Sequence, residues 1–277
     1  MINVFTVDLE DWFCSYENES YIKSGAIDEY LKNLVSNTKT ILLLLKNSGN
    51  SATFFVLGKV AEILPDLICE IANEGHEIAC HGYNHKPVSK MDEVKLTEDI
   101  ELSINAIYSS CGIKPEGYRA PNFSINNSSD NLYNALKGLG FKYDSSVYPV
   151  RFHPAYGSGK KSINPFIHKS GILEIPLSCA KLFKVRIPCS GGAYFRFYPY
   201  PLFRYLFNKC NEQNGYGIFY IHPWELSNSL PVNFVHGLNK IRKYYNINKT
   251  QDKLERLLNQ FKFVSISELI EKGGLDS

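Results

Sequence analysis

Two short segments, far apart in the chain, carry residue types that bind metals and move protons. Asp8, Glu10 and Asp11 end an apolar N-terminal run, and a second apolar run about seventy residues later ends in His81 and His85. Side chains two apart on a strand share a face, so Asp8 and Glu10 are expected to point together and Asp11 away. Two histidines and one carboxylate suit a divalent metal with open coordination positions. Asp8 is then left to act as a base, and the pattern predicts a metal-dependent hydrolase.

Three further residues have types that would complete a proton path. Arg119 can grip a carboxylate with a bidentate guanidinium, and we expect it to orient Asp8. The turn at Pro121 can aim a backbone N–H at a developing oxyanion. His222 follows an apolar strand-like run and suits a general acid, because histidine titrates near neutrality. Asp144 is expected to hydrogen-bond His222 and to raise its pKa toward the protonated form.

Strand-like and helix-like segments alternate along the chain, which predicts βαβ units with parallel strands. Strands are predicted at 2–8, 52–57, 77–81, 117–120, 141–143, 173–175, 217–221 and 261–266, and helices at 27–46, 60–73, 92–110, 129–139, 199–211 and 250–260. About eight strands over this length suit a (β/α) barrel better than an open sheet, although periodicity leaves closure undecided.

The candidate residues all lie at or just beyond the C-terminal ends of predicted strands, the edge where barrels carry their chemistry. Segment 150–170 is rich in Gly, Pro, Lys and Ser and is predicted to be an elaborated loop. No repeat or linker divides the sequence, so residues 1–277 are predicted to form a single domain.

Composition limits the partners and the compartment. The chain has 277 residues with 30 basic and 28 acidic side chains, a balance that argues against nucleic acid as a partner. Its seven cysteines show no paired spacing, which favours free thiols in a reducing compartment. No signal peptide and no membrane-spanning stretch is recognised, so a cytoplasmic location is expected. The oligomeric state is left open.

The ordered motifs resemble those of the polysaccharide deacetylase family, the NodB-homology group of carbohydrate esterases. They are Thr6–Trp12, His81–His85, Arg119–Pro121, Asp144 and the Ile221-His222 strand end. Segments Pro188–Arg196 and His222–Glu225 resemble the branch associated with exopolysaccharide export and exosortase systems. The resemblance implies a distorted (β/α) barrel of seven or eight strands and a divalent metal, commonly zinc. It also implies hydrolysis of N-acetyl groups on amino sugars of a cell-surface polysaccharide or its precursor.

By position, the resemblance implies a role for each motif residue. Asp8 would be the base, Glu10, His81 and His85 the metal ligands, Arg119 the partner of the base, His222 the acid and Asp144 the residue that tunes it. The family pattern has two adjacent aspartates, whereas here the second carboxylate is Glu10, which leaves Asp11 as an alternative ligand. The predicted substrate-contacting residues are Pro121, Asn122, Tyr194, Phe195 and Trp224. The last three are aromatic, and aromatic faces commonly stack on sugar rings.

Other activities on the same fold stay open at this point. The site chemistry also suits an O-acetyl esterase or a hydrolase of small amides. A non-catalytic glycan-binding module is a further alternative, since a fold does not fix a function. The residues select neither the sugar nor zinc over other divalent metals.

Overall fold

The computed structural model describes residues 1–11, 14, 27–125, 129–150, 162–227 and 244–274. Its strands are β1 Ile2–Leu9, β2 Thr53–Val56, β3 Glu77–Cys80, β4 Gly117–Tyr118, β5 Tyr143–Asp144, β6 Phe166–Ile167, β7 Leu173–Glu174, β8 Cys179–Leu182, β9 Val185–Pro188, β10 Ile218–Ile221 and β11 Lys262–Val264. Its α-helices are α1 Ile27–Ser48, α2 Gly58–Ile63, α3 Pro65–Asn73, α4 Glu93–Cys111, α5 Ser129–Gly138, α6 Gly192–Phe197, α7 Tyr200–Asn214, α8 Thr250–Gln260 and α9 Ile266–Glu271.

One curled sheet organises the molecule. Its strand order is β10-β1-β2-β3-β4-β5-β7-β6, and β11 pairs with the start of β1. Within the part of the chain that the structure describes, eight of these strands are parallel and β6 alone runs antiparallel to its neighbour. The predicted α/β fold, a distorted barrel of seven or eight strands, is confirmed as a curled half-barrel. Strands β8 and β9 form a separate antiparallel hairpin.

Strand β1 is buried on both faces, as parallel strands covered by helices usually are. Phe5, Val7 and Leu9 pack into the core beneath the helices. Val4 belongs to a second core inside the curl of the sheet. Because strand side chains alternate, Thr6 and Asp8 share the inner face with Val4. This register places polar β1 residues inside the half-barrel.

Sequence prediction and structure differ in three places outside the site. The helix predicted at 60–73 is two helices, because Pro65 begins α3 and cannot continue the preceding helix. The predicted loop 150–170 contains β6 in its described part, while 151–161 lie outside the described residues. The hairpin of β8 and β9 and the short helices α6 and α9 were not predicted. None of the described helices is long and apolar enough to cross a membrane.

Candidate active site

A turn at the end of β1 sets the two carboxylates of the first segment. Asp8 is the last inward-facing residue of the strand, and β1 ends at Leu9. The Glu10 N–H then donates to the Asp8 carbonyl over 2.9 Å, which bends the chain at this point. Strand alternation therefore accounts for Asp8, whereas a local turn places Glu10.

Glu10, rather than Asp11, lies with the two histidines. Its Oε2 is 2.5 Å from Nε2 of His85 and 4.0 Å from Nε2 of His81. The three ligand atoms of this group lie within 4.8 Å of one another, and all three residues are buried. Asp11 is also buried, and its carbonyl accepts a hydrogen bond from the Cys14 N–H over 2.9 Å. One carboxylate oxygen and two imidazole nitrogens form a donor set that fits a single divalent cation.

Backbone contacts orient the two histidines. His81 Nδ1 lies 2.7 Å from the Arg119 carbonyl, which can only accept, so Nδ1 carries the proton. Its Nε2 lone pair then faces Glu10, the arrangement that a metal-binding histidine requires. His85 is reached through left-handed backbone, with φ of 75° at Gly82 and 55° at His85 itself. Non-glycine residues rarely adopt this left-handed backbone conformation, and those that do are often found at functional sites.

Burial and charge act in opposite directions on the ligands. Burial raises the pKa of Glu10, but His85, His222 and His81 outweigh it and lower that pKa to about 2. Burial also lowers the pKa of His81 to about 4, against the upward pull of Asp8 and Glu10. An ionised carboxylate beside a neutral imidazole is the protonation pattern that metal ligation needs.

Arg119 is fully buried and its guanidinium holds β1 and the chain after β5 together. Nη1 donates to Asp8 Oδ1 over 2.6 Å and to Thr6 Oγ1 over 2.8 Å. Nε and Nη2 donate to the carbonyl and hydroxyl of Ser145 over 3.0 and 3.1 Å. The Phe55 ring lies 4.0 Å from the guanidinium carbon. These contacts fix one face of the Asp8 carboxylate and leave Oδ2 directed toward His222, at 3.9 Å from its Nε2.

His222 lies at the site, but the predicted partner is wrong. Its Nδ1 is hydrogen-bonded to Glu225 Oε1 over 2.8 Å, and its Nε2 lies 3.4 Å from Glu10. Asp144 therefore does not hold the ring. The predicted direction of the pKa shift is also wrong, because burial lowers the pKa of His222 against the raising effect of Glu10 and Asp8.

Asp144 instead belongs to a buried acidic pair. It lies at the end of β5, where Ser146 Oγ donates to its Oδ1 over 2.5 Å. Glu174, its cross-strand partner, accepts from the Val147 N–H over 2.8 Å and the Tyr133 hydroxyl over 2.9 Å. Burial, together with the charge of Asp144, raises the pKa of Glu174 well above its usual value. The carboxyl groups of Asp144 and Glu174 thus lie together on the neighbouring strands β5 and β7 rather than beside His222.

Replacing Glu174 by Gln is expected to raise stability relative to the unmodified chain as the pH increases. Glu174 stays protonated in the folded protein, whereas in the unfolded chain it loses its proton above about pH 4.5. Folding must then take up a proton, which lowers the free energy of unfolding by about 1.4 kcal/mol per pH unit. Glutamine carries no such cost. Urea unfolding between about pH 5 and about pH 8 measures the difference, with exposed Glu98→Gln as the control. A difference that stays constant with pH contradicts a protonated Glu174.

The predicted substrate-contacting residues separate into two groups. Phe195 is wrong as a sugar contact: it is fully buried, and its ring packs on those of Phe203 at 4.7 Å and Phe219 at 5.0 Å. Trp224 is half-buried and stacks on the His222 ring at 5.4 Å, so its placement suits the prediction.

The other three predicted contacts lie around the same end of the sheet. Tyr194 is half-buried and meets the Tyr148 ring edge-on at 6.4 Å. Pro121 is buried and begins a short 3-10 turn, in which Asn122 has left-handed backbone with φ of 55°. Their contacts with a sugar, and the oxyanion role of the backbone after Pro121, stay predictions.

Two site residues were missed by sequence reasoning. Glu225 and Arg196 form a buried ion pair, and Glu225 holds His222. Both lie in the segments that carried the resemblance, so the signal was present in the sequence. Their pairing was not, because they come from elements almost thirty residues apart whose contact depends on the tertiary fold.

Two regions of the chain match known protein families. A family model described as polysaccharide deacetylase matches residues 27–143. The likeness to the polysaccharide deacetylase family is thus carried by residues 27–143. A second family model, a domain of unknown function (DUF3473), matches residues 145–271. The first matched region, residues 27–143, contains His81, His85 and Arg119. His222 and Glu225 lie in the second matched region, and Asp8 and Glu10 precede both.

Curated relatives with deacetylase names are similar to part of the chain. A peptidoglycan deacetylase of Helicobacter pylori is 35% identical over 117 residues, which cover 42% of this chain and 39% of the relative. A peptidoglycan-N-acetylglucosamine deacetylase of Bacillus cereus is 37% identical over 84 residues, which cover 30% of each chain. The chain thus spans less than half the length of these relatives.

A solved structure shows the fold beyond that region. A protein of Mycobacterium smegmatis, assigned as a polysaccharide deacetylase, superposes with a TM-score of 0.67 at 21% identity. The superposition covers 98% of this chain and 88% of that chain. The half-barrel fold is therefore shared along nearly the whole sequence, including the part outside residues 27–143.

Proposed function

We propose that this protein is a metal-dependent hydrolase that removes N-acetyl groups from amino sugars of a cell-surface polysaccharide or its precursor. The observation that carries the proposal is one buried constellation: the Asp8–Arg119 pair, the Glu10–His81–His85 ligand group and His222. A binding module has no need for a base, an acid and a ligand group converging at one point. The deacetylase names of the relatives support the same reaction class.

The donor set of Glu10, His81 and His85 is proposed to hold a divalent cation, with Zn²⁺ as the leading candidate. When bound, such a cation supplies Lewis acidity to an amide carbonyl and lowers the pKa of a water molecule. The Arg119 carbonyl contributes by fixing the His81 tautomer, so that Nε2 is available as a ligand.

Asp8 and His222 are proposed to move the protons. Asp8 accepts a proton as water attacks the acetyl carbonyl carbon, while Arg119 keeps the carboxylate in place through Oδ1. The His222 Nδ1 proton is held by Glu225, so Nε2 is the atom that takes up a second proton, forming the imidazolium, and then releases it. That atom faces Asp8 and Glu10, and it is placed to protonate the leaving amine.

Acetate release is the test of the reaction. Purified protein supplied with Zn²⁺ is expected to release acetate from N-acetylglucosamine oligomers and to leave O-acetylated xylose oligomers largely unchanged. Turnover of the ester alone would establish the esterase alternative, and binding of the oligomers without turnover would establish the glycan-binding alternative. The exopolysaccharide-associated branch is proposed on the segments 188–196 and 222–225 alone.

Loss of a ligand is expected to lower metal affinity about 10- to 100-fold or more, as loss of even an outer partner does. His85→Gln removes Nε2 from the group, whereas His168→Gln changes a histidine that pairs with Asp130 elsewhere. Isothermal titration of the chelator-treated variants with Zn²⁺ measures both affinities. Equal affinities for the two variants would remove His85 from the ligand set.

A reducing, cytoplasmic compartment is part of the proposal and rests on the cysteines. All seven thiols are free, and Cys80, Cys179, Cys189 and Cys210 are buried. Burial raises the pKa of Cys80 to about 12, which keeps this thiol protonated and unreactive. Fractionation of the native host tests the location.

A further inference from the structure

Residues of the second matched region, 145–271, contact the His222 ring and fix its orientation. Glu225 Oε1 accepts twice from His222, from the backbone N–H over 3.1 Å and from Nδ1 over 2.8 Å. A single oxygen thus sets both the backbone turn and the ring angle. Trp224 stacks on the other side of the imidazole, with the ring planes 23° apart.

Arg196 holds the second oxygen of the same carboxylate. Arg196 Nη1 forms an ion pair with Glu225 Oε2, and both side chains are almost fully buried. A buried carboxylate without a partner is costly, so Arg196 stabilises the anionic form that accepts from His222. The Arg196 guanidinium also lies 5.8 Å from the Trp224 ring, which continues the packing behind the histidine.

The backbone around Arg196 is built to receive this carboxylate. A Cβ at Gly192, the first residue of α6, would overlap the carboxylate of Glu225, so only glycine allows α6 to close on it. Lys253 of α8 donates to the carbonyls of Phe195 and Tyr198, the latter over 2.6 Å, and anchors the end of α6. α6 therefore closes on the Glu225 carboxylate through Gly192 and Arg196, and α8 holds α6 in that position through Lys253.

We infer that Arg196 and Glu225 are positioning residues that lock His222 in the Nδ1–H tautomer, with Nε2 turned toward Asp8. The inference rests on the proposed function, in which His222 is the acid. It gives the second matched region a definite task, since that region supplies the acid and the ion pair that aims it. Neutral histidine free in water prefers the opposite tautomer, so the lock must come from Glu225.

The tautomer of His222 is directly measurable by long-range ¹⁵N–¹H correlation spectra of histidine-labelled protein, with His222→Gln used to assign the signal. We expect the Nδ1–H form in the unmodified protein and its loss in Glu225→Ala. The kcat of that variant should fall about 10- to 100-fold with KM changed less than about threefold. Glu225→Gln keeps an oxygen for both donors and should restore the tautomer and most of kcat.

Two further variants keep the test decisive. Gly192→Ala displaces the Glu225 carboxylate without removing a charge, so it should lose the Nδ1–H form even if Glu225→Ala does not fold. The matched control is Glu77→Gln. Glu77 lies at the start of β3, away from His81, and its carboxylate accepts hydrogen bonds from the hydroxyls of Thr53 and Tyr143. This variant should keep both the Nδ1–H tautomer of His222 and the kcat.

Retention of the Nδ1–H form in Glu225→Ala or in Gly192→Ala would overturn the inference, as would an equal fall of kcat in Glu77→Gln. Failure of the proposed function is distinguishable from these outcomes. A protein that releases no acetate would refute the deacetylase assignment, while the His222 spectra of the metal-free protein would still decide the positioning role.

Discussion

Asp8→Asn is expected to lower kcat about 100- to 10,000-fold while Zn²⁺ binding is retained, which is the usual size of a general-base effect. The amide cannot accept the proton of an attacking water. Its oxygen can still accept from Arg119 Nη1, so the local geometry is expected to survive. The kcat is measured as acetate release at saturating substrate, and the bound Zn²⁺ is measured by atomic absorption.

The control for this substitution is Asp66→Asn, which changes an exposed aspartate in the first turn of α3. Its kcat should match that of the unmodified protein. Turnover by Asp8→Asn within about threefold of the unmodified protein would remove Asp8 as the base. Loss of metal along with turnover would instead assign Asp8 to the integrity of the ligand group.

Local sequence patterns predicted the parts of the site that lie on or next to strands. The apolar run at the N-terminus predicts strand β1, whose side chains alternate between the two faces of the sheet. This alternation places Asp8 on the inner face. Strands β10, β1, β2 and β3 are adjacent in that order and run parallel. The C-terminal ends of β1, β3 and β10 therefore lie at the same edge of the sheet. The position of Asp8, His81 and His222 at or just beyond the C-terminal ends of strands could be predicted from the order of elements, whereas the pairing of β10 with β1 comes from the fold.

The remaining features depend on turns and on packing that a local pattern does not encode. Glu10 reaches the histidines through a bend after β1, and His85 through left-handed backbone. Asp144 seemed the natural partner of His222, but the curl of the sheet pairs it with Glu174 instead. Phe195 lies on the core side of α6, a helix too short to reveal a periodic face.

Removal of the Arg119 side chain is expected to have the largest effect on stability. Arg119→Met leaves Asp8 buried beneath the sheet edge without its cation and leaves the Ser145 carbonyl without a donor. Breaking a buried pair in this way costs about 3–5 kcal/mol in the free energy of unfolding. Urea unfolding at neutral pH measures the loss. Arg256→Met is the control, because Arg256 is exposed and lies 4.2 Å from the Tyr200 ring, and it should change stability by about 0.5 kcal/mol or less.

A double variant separates the lost pair from lost packing. In the Arg119→Met background, the further change Asp8→Asn removes the uncompensated charge, so it is expected to restore part of the stability rather than to reduce it again. The coupling between the two positions should then reach about 1–3 kcal/mol, the range seen for residues in one buried network. Additive effects would mean that Arg119 stabilises the fold through Phe55 and Ser145 alone, and that its contact with Asp8 serves the reaction without supporting the fold.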